Sequence, residues 1–117
     1  MIDPDPELLE IFREETDERL DRIETTLRSL ASGGDGDEAM ESLFREVHSI
    51  KGNAGMVGFH EAEMIARAMT DVLEEARRSG ELPPALAAPL LEQNDSIRRA
   101  VRDAQAGADA SSAPREH

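Results

Sequence analysis

An apolar stripe of helical period recurs four times along this chain, each time closed by glycine or proline, and no other feature constrains the fold as tightly. Leu8, Leu9, Phe12, Thr16, Leu20, Ile23, Leu27 and Leu30 fall on one such stripe with acids between them, the pattern of an amphipathic helix. This predicts a first helix over 7–30, opened by Asp5 or Pro6 and ended by the glycine-rich stretch 31–37. Met40, Leu43, Phe44, Val47, Ile50, Ala54 and Val57 predict a second helix over 38–56, with Asp37 as its N-cap and Gly58 as its stop. From His60 a third stripe runs through Ala62, Ile65, Ala66, Met69, Val72, Leu73 and Ala76. Arg77 and Arg78 suit its last turn, and Gly80 its end. Met64 and Ala68 widen that stripe and are expected to pack on the fourth helix.

The fourth segment starts at Leu82, Pro83 and Pro84 and carries Leu86, Leu90, Leu91, Ile97 and Val101. Pro89 is tolerated only within the first turn or at a kink, so the regular part is placed at 88–105. From Gly107 the apolar period stops. The expected architecture is all-α: an antiparallel up-down four-helix bundle over 1–106, then a flexible C-terminal tail or start of a linker over 107–117.

Composition removes several classes of function. Thirteen basic residues against 26 acidic ones leave a net charge of −13, which disfavours nucleic acid and anionic membrane as partners. The acid is concentrated early, ten acids facing three arginines between residues 1 and 24. With no Trp or Tyr and only 3% aromatics, stacking platforms for bases are missing. Cysteine is absent, so thiolate chemistry and disulfides are excluded. No apolar run reaches the roughly 20 residues of a membrane span, and the start lacks the basic and apolar regions of a signal peptide. A cytoplasmic, monomeric domain is expected.

One segment breaks the helix rules. Gly52 and Gly55 lie inside the second helix, where each costs about 1 kcal/mol relative to Ala. Either they permit close packing against another helix, or they leave backbone bare for a partner. The stripe centres near Val47, Leu43 and Ala54, whereas His48, Gly52 and Gly55 fall on a face turned roughly 120° away, which favours the second explanation. Lys51, the only lysine, lies one turn beyond His48, and Arg45 and Glu41 complete the strip. Acid-base catalysis needs a cleft that a filled small bundle seldom offers. Metal binding lacks ligands at the four-residue offsets, which hold Phe44 and Gly52, while His60 and His117 are weak candidates. No metal is expected. A neutral imidazole attacking a phosphoryl group does fit, with Lys51 offsetting the charge of about −2 that arrives.

The run His48-Ser49-Ile50-Lys51-Gly52-Asn53-Ala54-Gly55-Met56-Val57-Gly58-Phe59 resembles the phospho-acceptor signature of histidine phosphotransfer (HPt) domains. The variant is that found at the N-terminus of CheA-type chemotaxis histidine kinases. A looser likeness extends over 73–81. The resemblance implies that His48 accepts phosphate from an ATP-bound kinase domain and passes it to an aspartate of a response-regulator receiver. It further implies that Lys51 stabilises the phosphoryl group and that Gly52 leaves room for the receiver. Glu41, Phe44, Arg45, Gly52, Gly55 and Met56 are the expected docking face. ATP and Mg would sit on the kinase domain and Mg on the receiver. The chain has no glycine-rich phosphate loop, so no ATP-dependent activity of its own is expected.

Helix three departs from the family pattern. Where the family commonly has a Glu that fixes the tautomer of the phospho-acceptor, this chain has Thr70, and a nearby family His is Arg67. Asp71, Glu63 or Glu74 are the other acids within range. A slower acceptor is expected, one that Thr70→Glu should speed. The alternative function is a phosphorylation-poor helical module that binds receiver or kinase domains; a helical metal protein dependent on His48 or His60 is a third reading.

Overall fold

The computed structural model describes residues 5–111, with side chains as far as residue 104. Helix α1 spans Pro6–Ala31. The Asp5 carboxylate accepts the Glu7 N–H at 2.9 Å, and Pro6 takes the first helical position, where a missing donor costs nothing. Helix α2 spans Gly36–Val57. Its N-cap is Asp35, whose carboxylate accepts the Asp37 N–H at 3.0 Å, and not Asp37 as the sequence suggested. The earlier start moves Asp37 and Glu38 into the first turn, where their charge meets the positive end of the helix dipole. Gly58 closes α2 at φ 82°, a left-handed cap that glycine adopts without strain.

Helix α3 spans His60–Ser79 and ends at Gly80, φ 81°. A 3₁₀ turn, Pro84–Leu86, leads into α4, Ala87–Ser111. Pro89 is thus the third residue of α4 and falls in the first turn without a kink. The helix outruns its expected end at 105 and carries the expected tail as helix to Ser111. The reason is the Ala-rich stretch around Gly107, whose propensity outweighs one glycine. Residues 112–117 of the predicted tail lie outside the described residues.

Among the described residues there is no strand and no helix long and apolar enough to cross a membrane. Each helix packs against its neighbours in sequence, and α1 closes on α4. The shared core holds Leu20, Ile23 and Leu27 from α1, Leu43, Val47 and Ile50 from α2, Met69 and Leu73 from α3, and Leu90 and Ile97 from α4, all essentially fully buried. Asn94 sits among them, its Nδ2 donating to the Leu20 carbonyl at 3.1 Å, which fixes α4 against α1. Arg98 adds bonds to Asp21 and Glu24, each 3.1 Å. Met64 and Ala68 do not pack on α4 as expected. Met64 is 69% exposed, and the two line an open groove whose other wall includes Gln93, Ser96 and Ala100.

Candidate functional site

Helix α2 turns Val47, Ile50 and Ala54 inward, which leaves His48 exposed. One turn earlier Phe44 is half-buried and packed on the core. Its ring stacks on the His48 imidazole, centroids 5.8 Å apart and planes 15° from parallel. From α3, the Arg77 guanidinium lies 4.4 Å from the centre of the Phe44 ring, a cation–π distance. Arg77 Nε is also 3.4 Å from Glu41 Oε2. Glu41, Arg77, Phe44 and His48 therefore form one continuous set of contacts.

Lys51 is half-buried one turn beyond His48, and Arg45 is exposed one turn before it. Gly52 is exposed, and a Cβ there would meet no heavy atom within 4 Å. That agrees with bare backbone at the surface. Gly55 does not: it is half-buried, and a Cβ would lie 3.0 Å from the Glu63 carboxylate of α3. Close approach of α2 to α3 explains this glycine, because the outward face of α2 curves into the α3 seam at that level. Met56 is 74% exposed on the other flank, where it shares a small surface pocket with Leu8 and Ile11 of α1.

Thr70 is 5% exposed, and its hydroxyl donates to the Ala66 carbonyl of its own helix at 2.8 Å. Glu63 is engaged by Arg67 at 3.3 Å and His60 at 3.7 Å. Asp71 and Glu74 are exposed. Among the described residues no carboxylate is hydrogen-bonded to the His48 ring, and no three His, Cys, Asp or Glu side chains converge as a metal site. The larger surface grooves are lined without His48.

On the side of α2 that meets α1, Glu46 accepts from Arg19 at 2.8 Å and Arg22 at 2.9 Å. Burial pushes this carboxyl up, but the bonds from Arg22 and Arg19 outweigh it and hold the pKa below the ordinary carboxylate range. Arg22 is raised in turn, first by its hydrogen bond to Glu46.

The sequence reading missed the part played by Arg77, which it assigned only to the helix dipole. The signal lay in the register: helices joined by the short turn 58–59 place Glu41 across from Arg77. It also missed Asn94, a polar residue on the Leu90–Ile97–Val101 stripe.

The described residues thus form a small all-helical domain that presents the His48 imidazole on its surface, one turn from Lys51. The Hpt domain family model matches residues 7–107, and the chain belongs to that family. It is 33% identical over 110 residues to the chemotaxis protein CheA of Rhizobium meliloti, covering 94% of this chain and 13% of that protein. It is 39% identical over 70 residues to CheA of Halobacterium salinarum, covering 60% and 10%. It is 36% identical over 84 residues to a gliding motility regulatory protein of Myxococcus xanthus, covering 72% and 11%. The chain spans between 10% and 13% of the length of these relatives.

Proposed function

We propose that the chain is a phosphoryl relay module of a two-component system: His48 takes a phosphoryl group from an ATP-dependent histidine kinase domain and passes it to an aspartate of a response-regulator receiver. The observation that carries this reading is the exposed His48 ring, stacked beside Phe44, in a chain of the Hpt family. In the first transfer the Nε2 lone pair forms an N–P bond as the P–O bond to ADP breaks. In the second, a receiver carboxylate oxygen forms the new O–P bond and the N–P pair returns to Nε2. Lys51 offsets the charge of the bound group. ATP and Mg belong to the kinase domain and Mg to the receiver; this chain supplies the nucleophile, a cation and a surface.

That surface runs from Arg45 across Gly52 to Met56, with Leu8 and Ile11 beside it. Glu41 and Phe44 lie at its α3 edge and Gly55 in the seam. The likeness to CheA proteins supports a setting within a CheA-like kinase; the place at its N-terminus, the cytoplasmic location and the monomeric state are parts of the same proposal. Contacts between helices support an antiparallel up-down order. Arg19 meets Glu46 and Phe12 meets Phe59 across α1 and the far end of α2, while Glu41 meets Arg77 and Gly55 meets Glu63 across α2 and α3.

One observation favours a second reading, a binding module that turns over little phosphate: Thr70 brings no carboxylate, and its hydroxyl is committed to Ala66. Incubation with a CheA kinase core, ATP and Mg separates the two. The relay reading expects an acid-labile, base-stable phosphate that His48→Gln abolishes. A wild-type chain left unlabelled by several kinase cores supports the binding module instead.

A further inference from the structure

We propose that Phe44, held by Arg77 and Glu41, is the positioning residue that orients the His48 ring for phosphoryl transfer, in the place of a carboxylate from α3. The proposal rests on the relay reading and asks what aims the nucleophile. An imidazole on an exposed helix face turns about two side-chain torsions. In-line attack on phosphorus needs one direction of the nitrogen lone pair, and misplacement by about 1 Å can cost a hundredfold in rate. No carboxylate is hydrogen-bonded to this ring among the described residues, and Thr70 is turned to its own helix. The ring's neighbour is Phe44, centroids 5.8 Å apart and planes within 15° of parallel.

The Phe44 ring is itself in contact on two sides. Below, Phe44 packs on the core. From α3, Arg77 lies 4.4 Å from its centre, and Glu41 restrains Arg77 at 3.4 Å. A near-parallel, laterally offset ring beside the imidazole takes up neither of its nitrogens as a hydrogen-bond partner. It also fixes the plane of the ring without choosing which nitrogen carries the proton, which is the opposite of what a hydrogen-bonded carboxylate does. The stack thus acts on the plane alone, and among the described residues no side chain is hydrogen-bonded to the ring to select its tautomer.

The test reads the ring in the unphosphorylated protein and the rate separately. In proton NMR the His48 ring hydrogens should be shifted upfield by the Phe44 ring current, keep that shift in Phe44→Tyr and lose it in Phe44→Leu. In single-turnover phosphorylation by a saturating CheA kinase core with ATP, Phe44→Leu should slow the transfer about three- to tenfold, Phe44→Tyr should restore it, and the half-saturating kinase concentration should stay constant. Arg77→Ala removes a partly exposed side chain and keeps the core; it should weaken the ring-current shift and slow transfer by a smaller factor, with Arg77→Lys intermediate. Absence of the upfield shift in the wild type overturns the proposal, as does a full rate in Phe44→Leu. A shift present in a wild type that accepts no phosphate overturns the relay reading and leaves the stack standing.

Discussion

On the side of α2 that meets α1, Glu46 has both carboxylate oxygens taken up by Arg19 and Arg22. Two residues along the same helix, His48 has no such partner among the described residues and touches its neighbour Phe44 through a ring face. Saturated hydrogen bonds lower the energy of a charged group and make it inert, which serves a helix seam. A nucleophile needs its lone pair free, so orientation has to come from contacts that leave the edge alone. The contrast predicts that the two residues separate function from stability when exchanged for the same amide. His48→Gln should lose all acid-labile phosphate while its melting temperature stays within about 1–2 °C of wild type, as for an exposed substitution. Glu46→Gln should accept phosphate at the wild-type rate and lose about 1 kcal/mol of stability in urea titration, since two charge-assisted bonds weaken. A stable Glu46→Gln with a slow transfer rate would erase the distinction.

Thr70 sharpens the comparison from the α3 side. Thr70→Glu puts a carboxylate at a position that is 5% exposed, so the longer side chain must turn outward to reach water. The expected outcome is phosphorylation several-fold faster, with about 1 kcal/mol of stability lost to partial burial of charge and to the broken hydroxyl bond. Because stack and carboxylate act on plane and tautomer separately, the rate effects of Thr70→Glu and Phe44→Leu should multiply in the double variant; a saturating combination would show that both serve one purpose.

Acid should affect the two sides of α2 unequally. The folded pKa of Glu46 lies below its ordinary 4.5, so the folded state binds this proton less readily than the unfolded chain. Its contribution is complete above about pH 5 and is lost as pH falls through 4.5 toward the lower folded value. Melting curves between pH 6 and 3 should therefore converge for wild type and Glu46→Gln at the acid end. A gap that stays constant over that range would show that the two arginines do not act through the charge.

How much of this was legible in the sequence depends on whether one helix sufficed. The stripe that buries Leu20, Ile23 and Leu27, the glycine caps at 58 and 80, and the first-turn place of Pro89 follow from rules local to a helix. So does the outward aim of His48, and the HPt signature around it named the family. The Phe44–Arg77–Glu41 stack and the Gly55–Glu63 contact depend on how α2 and α3 are registered, and periodicity within one helix carries no such information. The α2 cap was misplaced for a smaller reason: Asp35 and Asp37 are equally good caps, and the choice rests on whether Gly36 joins the helix.

The smallest effect belongs to the two glycines, which one sequence rule treated alike. A methyl at Gly52 meets no heavy atom within 4 Å, whereas at Gly55 it lies 3.0 Å from the Glu63 carboxylate. Gly52→Ala should therefore gain most of the 0.5–1 kcal/mol, roughly, that alanine holds over glycine in a helix. Gly55→Ala gains the same propensity but must displace Glu63 from its contacts with Arg67 and His60, so its net change should be near zero. The functional effects run the other way. Gly52→Ala adds bulk on the exposed strip beside His48 and should slow transfer to a receiver more than phosphorylation by small phosphodonors, while Gly55→Ala should leave both unchanged. If Gly52→Ala stabilises the domain and leaves receiver transfer untouched, the bare backbone at 52 serves no partner, and the cost of a mid-helix glycine there has no functional account.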